Sequence, residues 1–304
     1  MLKKEDNYLT LIKEKETDII NEFKDNKIFS NKYKEETIEL LFYDQLNYPY
    51  KDSFNYKEII KTKKIKEYTY SDTLNDSILY LGINLINGYK SITSEVKQDF
   101  RKDFFQKKDR CPVCGRILQK SSKTSICNAD LDHFLPKSIY PQFSLFADNL
   151  IPICKDCNQV EKKDQDIDIT KLKTILKEKS PKEFSIFNEI HYDFEKRKVK
   201  LISDKKGILL SIYGLNERYS FACEKLYNNL FNLIKYHNIN TPEALETFLE
   251  SCLSANMQEM VSDFSLNNYP KLWNDFIDYV LYDYNNLSAL WEELREYNKL
   301  QFYI

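Results

Sequence analysis

The chain has 304 residues, 42% of them hydrophobic and 30% charged, with a formal net charge of −2. This composition fits a folded, soluble, intracellular protein and excludes a globally basic nucleic-acid coat, but not a local basic patch. Five glycines and eight prolines are too few for the many tight turns of an all-β fold, so the chain is expected to be mostly helical.

The N-terminus, MLKKEDNYLTLIKEKETDII, lacks the apolar core of a signal peptide. No run of about 18 apolar residues occurs, so no membrane association is expected and a bacterial cytoplasmic location is. Ile12, Ile19, Ile20 and Phe23 recur at helical spacing, as do Ile38, Leu41 and Phe42. The stretch YKDSFNY around Lys51 predicts a loop, and DSILYLGINLINGYKSITSEVKQDFRKDFF predicts one or two helices.

The composition changes at KKDRCPVCGR. From Arg101 to Lys123 there are eight basic residues against two acids. The plain reading of such a run is a solvated face. The other reading is a phosphate track that includes Lys107, Lys108, Arg116 and Lys120.

Residues 165–205 are mixed, with a short strand-like piece in RKVKLIS. From about residue 209 the pattern is helical again, in NERYSFACEKLYNNLFNLIKYH, TPEALETFLESCLSANMQEMV and YPKLWNDFIDYVLYDYNNLSALWEELREY. Thr241 and Pro242 form a helix start, a capping hydroxyl followed by proline at the first position. Residues 241–304 carry eleven acids and three bases, which disfavours nucleic acid and suits packing or a protein partner. The predicted organisation is a helical region over 1–100, a cysteine-bearing core over 101–165 and a mainly helical region over 166–304.

Seven cysteines in such a chain point to metal or free thiols rather than disulfides. Cys111-Pro-Val-Cys114-Gly pairs two thiols across two residues, with a glycine for the turn behind them. Cys154-Lys-Asp-Cys157 repeats the spacing after 39 intervening residues. Two such pairs supply four soft ligands, the donor set of a closed, tetrahedral, structural Zn²⁺. A dithiol redox pair would leave the second pair unexplained. Cys127, Cys223 and Cys252 follow no pairing pattern and read as core residues.

The segment between the two cysteine pairs is the informative one. SICNADLDHF predicts a strand ending at Asp132-His133, PKSIYPQFSLFADN a loop, LIPI a second strand, and CKDCNQVEKK a turn into a helix. That order can place His133 and Asn158 across one small cleft. On CPVCG, DHFLPKS and DNLIPICKDCN the chain resembles the HNH endonuclease family, the ββα-metal nucleases, over about Cys111 to Lys163. The resemblance implies a ββα-metal, treble-clef-like, zinc-stapled core between helical arms. It implies His133 as general base, Asp132 and Asn158 as ligands of a catalytic Mg²⁺ or Mn²⁺, and Asn149 as the residue that orients the loop and the base. The residue types suit phosphodiester hydrolysis on their own account. Histidine titrates near neutral pH, and a hard cation prefers oxygen ligands. Asn149 also reads as a turn residue, and Asn158 as a helix cap.

Many relatives carry a lysine three residues after the last asparagine, where this chain has Glu161. Lys162, four residues after Asn158 and hence on its face, and Lys137 are the alternative phosphate contacts. His191 sits where some relatives carry a histidine-containing segment, but lacks their proline. His237 reads as structural.

The flanks carry no helix-turn-helix, zinc-finger or RNA-recognition signature. The 22 tyrosines and 19 phenylalanines lie mostly in those flanks at helical spacing, and so read mainly as core. A core of this type with helical arms resembles nuclease subunits of bacterial anti-phage defence, in particular the Septu type, where an ATPase partner directs the nuclease. The expected function is therefore an HNH endonuclease acting on DNA. An RNase, including one acting on tRNA, or a non-cleaving zinc module that binds nucleic acid or protein are the alternatives.

Overall fold

The computed structural model describes residues 7–43, 49–62, 68–105, 110–116, 118, 129–166, 186, 190–193, 198–201, 207–254 and 270–301. These residues are mostly helical, with two small antiparallel sheets. Lys107, Lys108, Lys120 and Cys127 lie outside them. The chain divides into two compact units, one of residues 1–109 and 118–184, the other of residues 110–117 and 185–304.

In the first unit the described helices before the cysteine pairs are α1 (Asn7–Lys24), α2 (Asn31–Ile38), α3 (Tyr56–Lys61), α4 (Leu74–Ser91) and α5 (Ser94–Phe105). A wider turn over Glu39–Tyr43 continues α2. The stretch read as one or two helices forms two, α4 and α5, with the break after Ser91. Helix α4 starts where Thr73 accepts a hydrogen bond from the Asp76 amide at 3.2 Å, an N-cap. Leu81 and Leu85 are fully buried and Ser77, Ile78, Leu79, Ile83, Ile86 and Tyr89 are buried around them, so α4 is the central helix of this unit.

Two glycines let neighbours approach it. A Cβ at Gly82 would lie 2.6 Å from the ring of the fully buried Tyr56, and one at Gly88 would meet Ile19 of α1. Gly in a helix interior costs about 1 kcal/mol relative to Ala, and here close packing offsets it. The buried hydroxyls of Thr37 and Ser77 satisfy each other at 2.5 Å between α2 and α4.

The same unit holds β1 (Asp130–His133) and β2 (Leu150–Ile153), paired antiparallel with Asp132 opposite Ile151 and His133 opposite Leu150. Strand β2 is buried along its whole length, as its uninterrupted apolar sequence requires. The connection between them contains short 3₁₀ turns at Pro141–Phe143 and Ala147–Asn149. Helix α6 (Asp156–Lys162) follows β2 and is wound with i→i+5 hydrogen bonds; the last, from Lys163 N to Asn158 O, is 2.8 Å.

The second unit contains a hairpin of β3 (Ile190–Asp193) and β4 (Lys198–Leu201), with helices α7 (Gly207–Ile212), α8 (Leu215–Tyr236), α9 (Pro242–Ser254), α10 (Pro270–Tyr282) and α11 (Tyr284–Gln301). Strand β4 was expected from RKVKLIS; β3 was not, because its four residues alternate too briefly to stand out. Helix α9 begins as Thr241-Pro242 predicts, with Thr241 Oγ1 accepting from the Ala244 amide at 3.2 Å. The run that reads as one helix from Pro270 breaks at Asp283. Its carboxylate accepts from the Asn285 amide at 2.9 Å and starts α11 afresh. Cys223 and Cys252 are buried, as expected of core residues.

Candidate metal centre and Asp-His cleft

The first cysteine pair is shaped by its own backbone. Cys111 N donates to Arg116 O at 2.8 Å and Gly115 N to Cys111 O at 2.9 Å, closing a tight loop. Gly115 has φ 73°, a left-handed conformation that explains the glycine behind the pair. The hydroxyl of the buried Tyr219 on α8 donates to Cys114 O at 3.0 Å. In the second pair, Cys157 N points at Cys154 Sγ at 3.5 Å.

All four side chains are buried, none is in a disulfide, and the four sulfurs lie within 4.8 Å of one another. Sulfurs on a tetrahedron with bonds of about 2.3 Å stand about 3.8 Å apart, so small side-chain adjustments close this cluster on one ion. Four buried, soft, deprotonatable donors suit a structural metal such as zinc. A closed set of four leaves no position for substrate.

Asp132 and His133 end β1, and alternation along the strand turns them to opposite faces. On the His133 side the ring is buried. Its Nε2 lies 3.0 Å from Ser144 O. A carbonyl only accepts, so Nε2 carries the proton and the neutral ring keeps its lone pair on Nδ1. Burial, and after it the ammonium of Lys137, hold the imidazole well below its ordinary pKa, so it is uncharged at neutral pH. Tyr89 of α4 packs edge-on against the ring, with centroids 4.3 Å apart.

Asn149 pins the long connection. Its Oδ1 accepts from Leu135 N at 2.7 Å, and its Nδ2 donates to Leu135 O at 3.0 Å and to Phe143 O at 3.1 Å. The backbone adds Phe134 N to Asn149 O at 2.8 Å. One asparagine thus ties the exit from β1 to the entry of β2, and with it the loop that carries Ser144 to His133.

On the other face Asp130 and Asp132 stand two residues apart, about 6.6 Å along a strand. Residues four apart on α6 have a similar spacing, and the two rows meet. Asn158 Nδ2 donates to Asp130 Oδ2 at 3.1 Å, Gln159 Nε2 to the same oxygen at 2.6 Å, and Lys162 Nζ to Asp132 Oδ1 at 2.9 Å. Lys162 also donates to His133 O at 2.7 Å. The second oxygen, Asp132 Oδ2, is also 2.9 Å from Lys162 Nζ but outside hydrogen-bond geometry. Burial raises the Asp132 carboxyl to about 6, against the pull of Lys162.

Asp132, His133, Asn149 and Asn158 are thus gathered around one strand pair and one helix. Two side chains depart from expectation. Asn158 hydrogen-bonds Asp130, the acid at the outer end of the strand. Lys162 is fully buried on Asp132 and His133, so its ammonium is not presented to phosphate. Its shared face with Asn158 was legible; that this face points inward was not. Lys137 stacks its Nζ 4.8 Å from the Tyr89 ring centroid. Arg116 is half-buried beside the first cysteine pair. His191 is 60% exposed, 4.0 Å from Asp275, and His237 packs between Tyr236 and Phe248.

Asp130, Tyr89, Ser144 and Gln159 were not singled out in the sequence. Asp130 was within reach, since alternation puts it beside Asp132. Tyr89 and Ser144 carry no local signal.

A 54-residue segment of the chain is 44% identical to Protein ea31 of Escherichia phage lambda, covering 18% of this chain and 16% of that protein. The chain thus aligns with about a sixth of this relative's length. No protein-family profile matches the chain. No solved structure matches it. No helix among the described residues is long and apolar enough to cross a membrane.

Proposed function

We propose that this chain is a metal-dependent endonuclease of the HNH type that hydrolyses DNA phosphodiester bonds. The observation that carries the reading is the state of His133. It is a neutral imidazole, proton committed to Ser144 O through Nε2, lone pair on Nδ1, fixed at the end of the strand that also carries Asp132. A neutral ring with its lone pair on Nδ1 is the protonation state a general base needs. Asp132, with Asn158 and Asp130 on the adjoining row, offers hard oxygen donors for Mg²⁺ or Mn²⁺. When bound, such an ion stabilises charge on the scissile phosphate and the leaving oxygen. For Asn158 to contribute its oxygen, its amide must turn from Asp130, and Lys162 must share Asp132.

In this reading His133 takes a proton from water at Nδ1, and Asn149 keeps the loop and Ser144 in place while it does so. The four cysteines hold a structural zinc outside the chemistry. Target choice lies with a protein partner, and we place the chain in bacterial anti-phage defence with a directing ATPase, in the cytoplasm.

Supercoiled plasmid incubated with Mg²⁺ or Mn²⁺ tests the reading. Wild type nicks it, and His133→Ala, folded and zinc-loaded, does not. Cleavage of a tRNA or other RNA with the plasmid left intact would transfer the same site to an RNase. Tight binding of nucleic acid with no cleavage under either metal would leave only a zinc binding module.

A further inference from the structure

Helices α3 and α4 supply lysines that the proposed chemistry does not use. Lys57 and Lys61 of α3, Lys90 in the last turn of α4 and Lys137 of the β1–β2 connection line one cavity of about 290 Å³ together with Ser138 and Asp164. One carboxylate there faces four ammonium groups. Asp164 is already ion-paired with Lys57, and Lys61 has Glu58 at 3.3 Å on its own helix. Among the described residues no carboxylate pairs with Lys90 or Lys137. Burial, and after it the nearby Lys90, depress the pKa of Lys137 to about 8, against the pull of Asp132 and Asp164. Ser138 Oγ is buried with no hydrogen-bond partner among the described residues. A buried hydroxyl and two ammonium groups that make no ion pair among the described residues, set around a hollow, are what a tetrahedral oxyanion satisfies.

The adjoining cavity, about 320 Å³, shares Lys57, Ser138 and Asp164 but sets two lysines against three acids, so it does not select an anion. Tyr89 lies between Lys137 of the hollow and His133. Its ring centroid is 4.3 Å from that of His133, with Lys137 Nζ at 4.8 Å and Lys97 Nζ at 4.5 Å.

We propose that this hollow binds a backbone phosphate of the DNA strand beside the one attacked at His133, with Lys90 and Lys137 as its principal contacts and Ser138 as donor. The proposal rests on the nuclease reading, and it assigns the N-terminal helices to substrate capture.

The test is binding of a fluorescein-labelled 20-base-pair duplex by zinc-loaded His133→Ala protein with no Mg²⁺ or Mn²⁺ and no chelator added, across a salt series. No catalytic metal and no cleavage enter, so the result is independent of whether the plasmid is nicked. Replacing Lys90 and Lys137 together by Gln weakens binding about tenfold at 0.1 M salt and flattens the log–log salt slope by about 0.9, the value for one phosphate contact. The double Arg variant keeps the slope, which separates lost charge from lost fold, and Lys225→Gln on exposed α8 changes nothing. An unchanged affinity and slope in a folded double Gln variant overturns the proposal. So does inorganic phosphate binding that the double variant abolishes while duplex binding stays intact, because the hollow would then serve a free anion.

Discussion

Lys162 and Asp132 form a buried ion pair, Nζ to Oδ1 2.9 Å, in which the lysine is fully buried and the acid nearly so. The lysine also fastens the carbonyl of His133 at 2.7 Å. It therefore holds both the acid and the strand end that carries the base. Removing one partner of such a pair strands the other charge, which costs about 3–5 kcal/mol. Lys162→Met is expected to lose about 3 kcal/mol at pH 7.5 in urea unfolding. The loss depends on pH with a definite sign. The Asp132 carboxyl sits at about 6 when folded, above its ordinary value, so the folded state binds the proton more tightly than the unfolded one. Protonated Asp132 needs no counter-ion, and the penalty of the variant shrinks at pH 4.5. An equal penalty at both pH values would show that the lysine acts by packing alone.

The same carboxyl governs metal binding on the proposed reading. Above about pH 6 Asp132 is ionised and ready to ligate; below it a metal must expel a proton. Mn²⁺ affinity, followed by titration calorimetry, is expected to fall about tenfold per pH unit below 6 and to level off above it. Plasmid nicking follows the same single rise. His133, already held well below its ordinary pKa, adds no second limb between pH 6 and 8. A limb near the ordinary histidine value would mean that the imidazole charges freely and that its burial is relieved in solution.

Asn149 offers a structural prediction that does not depend on metal. Its amide makes three hydrogen bonds, two of them to Leu135, and Leu135 N has its partner only there among the described residues. Asn149→Ala leaves a buried amide donor and two carbonyls without that partner, at about 1–3 kcal/mol for each group stranded. The expected loss is about 3 kcal/mol, read by urea unfolding. Asn149→Asp keeps the acceptor for Leu135 N, loses the donors, and should fall between the two. If Ala and Asp are alike, the donor side carries the loop.

Much of this core was legible in the sequence because its signals are local. The cysteine spacing, the glycine at φ 73°, the LIPI strand and the Asp-His end of β1 each follow from a few adjacent residues. What stayed hidden depends on partners distant in sequence. Tyr89 reaches His133 from a helix 44 positions earlier, and nothing near Tyr89 marks it apart from the other aromatics. Lys162 shows the limit of periodicity. Spacing put it on the Asn158 face, but only packing against β1 determines that the face is buried. The basic hollow at Lys90 and Lys137 was missed for the same reason, since its lysines come from three separate stretches of chain.

The four-cysteine cluster makes the last prediction. Thiols that share one ion are deprotonated by it, and the binding free energy then enters the folding free energy. Purified protein is expected to carry one zinc per chain by elemental analysis. Cys111→Ser and Cys157→Ser should each lose the metal and unfold the strand pair and α6, because Cys154 and Cys157 flank the entry to that helix. Chelation at pH 7 should do the same to wild type, and acidification should release the ion as the thiolates reprotonate. Circular dichroism and zinc release measured on one sample check the linkage: loss of helix must accompany loss of metal. A Cys111→Ser protein that is zinc-free yet as stable as wild type would show that the buried thiols pack as small apolar side chains and that no metal supports this fold.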